Sequence, residues 1–223
     1  MMRVLVCLSM AGVLASGCSN GAAAATAPTQ IPQARKIVAL GDSLTSGYGL
    51  ASRNEAYPAV LERMLHTAGL PFVVSNHGVS GDTTVDAVLR LDAALAEQPD
   101  IMIVALGAND GLDGVPLSVV RANLEKVIES AQERNIKVVL CGMEALPFHG
   151  FDYFLGFRRI FPNLADEYDV PLVPFILSGV IGNRDMLLPD IVHPNAAGAA
   201  QIAQAIFPYV QPLAKALFAI DVI

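Results

Sequence analysis

Basic charge is scarce in this chain. Lys and Arg number 14 against 21 Asp and Glu, which gives a net charge of −7 over 223 residues. A protein that grips a nucleic-acid backbone needs a basic face, so that class of partner is set aside. No run of five or six like charges occurs, which argues against charged interaction tails. Cysteine is limited to Cys7, Cys18 and Cys141. The first two fall in or next to an N-terminal leader, so Cys141 is left alone in a strand-like run, with no disulfide framework to join. It reads as a small buried hydrophobe. No Gly-rich loop ends in Gly-Lys-Ser/Thr, which removes the common nucleotide-triphosphatase reading. His66, His77 and His149 lack metal-ligand spacing, and no internal repeat or second domain is visible.

What is present is apolar. Hydrophobic residues make up 53% and charged residues 16%, enough for one domain with a substantial core. The N-terminus differs from the rest. Arg3 is followed by an uncharged apolar stretch over residues 4–16, too short for a transmembrane helix but suited to a secretory signal. It ends in Leu14-Ala15-Ser16-Gly17-Cys18, which resembles a bacterial lipobox cleaved before the cysteine. Cleavage within the small-residue run 21–27 is the competing reading. The expectation is a signal peptide over 1–17, a flexible Ala/Pro/Thr tether over 18–34, and one domain over 35–223. Lipidated Cys18 would then anchor an exported protein in the periplasm or at the outer membrane.

Within the domain, short apolar runs alternate with amphipathic segments. Strands are predicted at 36–40, 71–75, 101–106, 136–140 and 170–175, and helices at 56–68, 83–97, 117–134, 157–167 and 195–217. Strands separated by helices pair in parallel, and continuous apolar strands suit a sheet covered on both faces. The fold class is therefore α/β: a three-layer α/β/α sandwich on a five-stranded parallel sheet. Ligands in such sheets bind beyond the carboxyl ends of the strands.

Each of those ends carries polar residues. The first strand delivers Gly41-Asp42-Ser43, which is also ordinary turn and helix-capping chemistry. The second leads to Ser80-Gly81-Asp82-Thr83 and the third to Gly107-Ala108-Asn109-Asp110. Asp190-Ile191-Val192-His193-Pro194 precedes the closing helix. Asp190 and His193, three apart in a proline-bounded turn, can form the acid and base of a Ser-His-Asp triad with Ser43 as nucleophile. Backbone N–H groups of Ser43 and Gly81 and the side-chain amide of Asn109 are candidate oxyanion donors. Taken singly, Asp190 could be an Asx turn, His193 a solvated loop histidine, Gly81 a turn glycine and Asn109 a strand-end cap. Thr45 stands where a Gly-x-Ser-x-Gly elbow would need glycine, against a standard α/β-hydrolase.

The four blocks Gly41-Asp42-Ser43-Leu44, Ser80-Gly81-Asp82-Thr83, Gly107-Ala108-Asn109-Asp110 and Asp190-Ile191-Val192-His193-Pro194 resemble those of the SGNH (GDSL) hydrolase family, in its order. The likeness is greatest to the bacterial thioesterase I, lysophospholipase L1 and arylesterase group. The resemblance implies a flavodoxin-like fold with no metal or organic cofactor, and assigns Ser43, Gly81, Asn109 and His193 to the family's naming residues and Asp190 to its acid. Ala108 replaces a common glycine and Ile191-Val192 a usual Gly-Ile; neither change removes a functional atom. The expected activity is hydrolysis of aryl or short-to-medium acyl esters through an acyl-enzyme on Ser43. Alternatives are an acyl-CoA thioesterase or lysophospholipase, a carbohydrate O-deacetylase, or, in a different class, an inactive lipid-binding lipoprotein. Aromatic residues between 146 and 161 follow the fourth strand. Phe151 and Tyr153 are the substrate-contact candidates among them, while the helically spaced Phe157 and Phe161 suit core packing. Arg158 and Arg159 could meet an anionic head group or stand exposed.

Overall fold

The computed structural model describes residues 35–220. The proposed signal peptide, the tether and Cys18 lie outside the described residues. The chain begins with β1 (Arg35–Gly41), whose last five residues are buried. One turn of helix follows, α1 (Ser43–Ser46), and then α2 (Tyr57–Thr67), which opens with Pro58 in its first turn and buries Leu61 and Leu65. Proline suits that position because the first helical N–H groups have no intrahelical acceptor. β2 (Phe72–Gly78) comes next.

The helix expected over 83–97 is two helices, α3 (Thr84–Leu89) and α4 (Leu91–Leu95). Thr83 and Asp86 form a reciprocal capping box at the start of α3, and the break falls at Arg90. β3 (Ile101–Ala105) is buried throughout. It leads to α5 (Ala108–Asp113) and to α6 (Leu117–Gln132), where Val120, Leu124, Val127, Ile128 and Ala131 fall on one buried stripe. Truncating Leu124 to alanine in that stripe would cost about 2–5 kcal/mol.

β4 (Lys137–Cys141) carries Cys141, fully buried as expected. α7 (Phe151–Glu167) begins six residues earlier than the periodicity suggested, after Gly150, whose φ of 94° turns the chain into the helix. β5 is only Leu172–Val173, shorter than predicted, and α8 (Ala196–Ile220) closes the chain. No helix among the described residues is long and apolar enough to cross a membrane.

All five strands are parallel in the order β2-β1-β3-β4-β5. Helices α2 and α8 pack together on one face of the sheet; α6 contacts α3 and α7, and both α6 and α7 contact β4 on the other. This is the three-layer sandwich expected. The chain goes outward from β1 to β2, then crosses back to place β3 on the other side of β1. Their carboxyl ends therefore diverge at a topological switch point, where a crevice opens.

Candidate active site

Ser43 emerges at that switch point. Asp42 caps α1 by accepting the Leu44 N–H at 2.9 Å, so the turn-and-cap reading of Gly41-Asp42-Ser43 is also physically present. Asp42 is fully buried and its Oδ2 has no hydrogen-bond partner among the described residues. Burial pushes its carboxyl up to about 7.

Across the crevice, the segment before α8 folds into a compact turn. Asp190 Oδ1 accepts the N–H groups of Val192 and His193, each at 3.0 Å, and Oδ2 accepts the His193 Nδ1–H at 2.8 Å. Those bonds hold the Asp190 carboxyl down at about 2, the His193 N–H contributing most. With Nδ1 protonated, Nε2 is the accepting nitrogen, and it lies 3.1 Å from Ser43 Oγ. The ring of Tyr48 rests on the imidazole, 4.6 Å between centroids. Ile191, inside this turn, has φ of 57°. The left-handed region is where glycine is at ease and a β-branched residue is strained.

Gly81 lies on the loop after β2 with φ of 90°, and a Cβ there would meet nothing within 4 Å. Its demand for glycine is conformational rather than spatial. The same loop is tied to the Ser43 turn at several points. Val79 N–H donates to the Gly41 carbonyl at 3.1 Å, and the hydroxyls of Ser46 and Ser80 meet at 2.9 Å. Asn109, in the first turn of α5, donates from Nδ2 to the Asp82 carbonyl at 2.8 Å. An amide nitrogen has two hydrogens, so the second is available for a ligand. Its neighbour Asp110 is buried and accepts from Thr84 N–H at 2.9 Å and Thr84 Oγ at 2.6 Å. Burial raises this carboxyl.

A cleft of about 560 Å³ opens beside Ser43, Asn109 and His193, with mostly apolar walls that include Leu44, Met143, Phe154, Leu177, Ile181, Ile191 and Val192. Phe151 and Tyr153 do not line it. The early start of α7 explains this: Phe154 takes the wall position, and the Tyr153 hydroxyl donates to the carbonyls of Asp110 (3.1 Å) and Val115 (2.9 Å). Phe151 is exposed and stacks on Phe154. Phe157 and Phe161 are buried core, and Arg158 sits 3.4 Å from Glu144. β2 runs three residues further than predicted, so His77 is a strand residue, bonded to Glu97 at 2.6 Å. Among the described residues no group of three or more His, Cys, Asp or Glu could hold a metal ion. The wall residues Met143, Leu177 and Ile181 escaped the sequence reading, because an apolar residue in a loop carries no mark of the cavity it faces.

Residues 39–201 match the model of the GDSL-like lipase/acylhydrolase family. Esterase TesA of Pseudomonas aeruginosa is 33% identical over 92% of this chain and its own whole length. A protein of Escherichia coli K12 named thioesterase 1/protease 1/lysophospholipase L1 is 33% identical over 79% of this chain and 84% of its own. The crystal structure of AlinE4, an SGNH-hydrolase family esterase, is 41% identical, with a TM-score of 0.68 over 83% of this chain and 97% of its own. The sheet order, the polar strand ends and these likenesses agree: this chain belongs to the GDSL-like lipase/acylhydrolase family, and it is a carboxylic ester hydrolase.

Proposed function

We propose that Ser43 is the nucleophile of this hydrolase, with His193 as general base and acid and Asp190 as the group that orients it. The observation that carries the reading is the continuous relay from Ser43 Oγ to His193 Nε2 (3.1 Å) and from His193 Nδ1 to Asp190 Oδ2 (2.8 Å). Ser43 Oγ bonds to the acyl carbon as its proton passes to Nε2, and the carbonyl π pair moves to oxygen. The Ser43 and Gly81 N–H groups and the Asn109 amide receive that oxyanion. Collapse of the intermediate breaks the bond to the leaving alcohol, which takes the proton from Nε2. Water then attacks the acyl-enzyme by the same route and releases the acid.

The apolar cleft supports an aryl or acyl chain as the group held beside Ser43. A thioester or lysophospholipid remains the second reading, supported by the name of the Escherichia coli relative. We also propose, from the sequence of residues 1–34, that the chain is exported and anchored through Cys18.

Replacing Ser43 with alanine is expected to abolish hydrolysis of an aryl ester while the protein stays folded. A fluorophosphonate should label Ser43 in the parent and nothing in the variant. Undiminished hydrolysis by Ser43→Ala would sink the assignment, as would fluorophosphonate labelling of the variant at the parent level. A panel of aryl esters of varied acyl length, acyl-CoA and lysophospholipid separates the substrate classes. Mass spectrometry of the mature N-terminus, with and without Cys18→Ser, tests the anchor.

A further inference from the structure

The break between α3 and α4 turns the Arg90 guanidinium toward the site. Its Nε donates to Asp82 Oδ2 at 2.5 Å, one terminal nitrogen to the His77 carbonyl at 2.8 Å and the other to the Gly41 carbonyl at 2.7 Å. None of these acceptors belongs to the helices that Arg90 joins. Gly41 ends β1, two residues before Ser43. Asp82 follows Gly81, and its backbone carbonyl is the acceptor that orients Asn109. One cation therefore spans the strand end that carries Ser43 and the loop that carries one oxyanion donor and aims another. Arg90 is outside the walls of the cleft.

The chemistry suits arginine. Its planar fork holds three acceptors in fixed directions and keeps its charge, whereas a lysine ammonium is a point charge on a flexible stem. The Arg90 and Asp82 side chains are 23% and 11% exposed, so water competes little for the pair. Two of the three Arg90 acceptors, Gly41 and Asp82, lie on the segments whose spacing sets the oxyanion hole, and the third, the His77 carbonyl, is in β2 just before the Gly81 loop.

We infer that Arg90 is a positioning residue for the oxyanion hole, an inference that rests on Ser43 being the nucleophile. It holds Gly81 and Asn109 at the right distance from Ser43 and acts on the reaction without touching the substrate. An oxyanion is present only in the transition state and intermediate, so a misplaced hole lowers kcat and leaves KM nearly unchanged.

The test is steady-state kinetics on an aryl ester, with thermal melts, for Arg90→Gln, Arg90→Lys, Asn109→Ala and the double variant Arg90→Gln/Asn109→Ala. Removing one donor outright typically lowers kcat by about 10²–10³, so Asn109→Ala is expected in that range and Arg90→Gln at about 10–10². Because Arg90 acts through Asn109 and its loop, the double variant should fall far short of the product of the two single losses. Arg90→Lys, which keeps the charge and holds the fold if glutamine does not, should still lose several-fold in kcat at constant KM. Parent kcat in Arg90→Lys overturns the inference, as does a loss confined to KM or a fully multiplicative double variant. Those failures are read with Ser43→Ala inactive. If Ser43→Ala is active, the nucleophile reading has failed instead.

Discussion

Ser43 stands on a strand end reached by β2, by the Gly81 loop and by the α3–α4 corner, whereas Asp190 and His193 stand on a turn whose hydrogen bonds are mostly its own. On the Ser43 side the Gly41 carbonyl accepts from Val79 and Arg90, and the Thr45 carbonyl accepts from Asn76 at 2.7 Å. Every one of those donors is more than 30 residues away. On the Asp190–His193 side Asp190 is held by Val192 and His193, Ile191 N–H donates to Leu188, and Leu188 N–H donates to the His193 carbonyl at 2.8 Å. The first side is held by segments distant in the chain. The second is held within six residues, and strain at Ile191 goes with its tight geometry. Damage to the two sides should therefore look different.

The largest effect is expected on the local side. Asp190→Asn keeps the shape of the turn but presents the wrong partner to His193 Nδ1, and kcat should fall by up to about 10⁴. Parent-like kcat in that variant would mean that another group orients the imidazole. Next comes the long-range side, where Gly81→Ala puts a methyl group into open space but asks alanine to hold φ of 90°. The loop should relax and withdraw a donor, lowering kcat toward the roughly 10² of a lost oxyanion contact, with KM little changed. A loss in KM alone would place Gly81 in ground-state binding.

Asp42 offers a comparison in stability. Its carboxyl ordinarily titrates at 3.8 and is pushed up to about 7 by burial, so the folded state favours the protonated form. That contribution is fully present below the ordinary value and is lost as pH rises through about 7. It amounts to about 4 kcal/mol at most. Asp42→Asn cannot ionise, so the variant should gain on the parent in denaturant melts as pH goes from 4 to 8. A gap that stays constant with pH would show that Asp42 titrates normally. The smallest effect belongs to Ile191→Gly. Relief of the left-handed strain, partly offset by glycine's freedom in the unfolded chain, should stabilise by about 1 kcal/mol, a rise in Tm of about 2–4 °C. Because Ile191 also lines the cleft, KM for apolar esters should rise as well; a lowered Tm would contradict the strain argument.

The same contrast explains how much could be read in advance. The turn from Asp190 to His193 is local, so spacing alone suggests its hydrogen bonds. Strand ends are nearly as legible, since an apolar run stopping at Gly-Asp-Ser or Gly-Ala-Asn announces a polar edge. Arg90 lies within a continuous amphipathic segment of the sequence, and nothing in Leu89-Arg90-Leu91 signals that a helix break falls there or that its acceptors lie on β1, β2 and the Gly81 loop. Tyr153 shows the opposite error. An aromatic in a loop-like stretch looked available to substrate, yet the helix began earlier and two backbone carbonyls took its hydroxyl.

By itself the sequence determined the alternation of strands and helices, the parallel sheet and the polar residues at its carboxyl edge, because hydrophobic period and turn chemistry act over a few residues. Only the tertiary structure decided which apolar side chains wall the cleft, that Asp42 is buried with one oxygen unpartnered among the described residues, and that Arg90 bridges Gly41 and Asp82. Those outcomes depend on segments far apart in the chain arriving together, and burial and long-range hydrogen bonds exist only once they have.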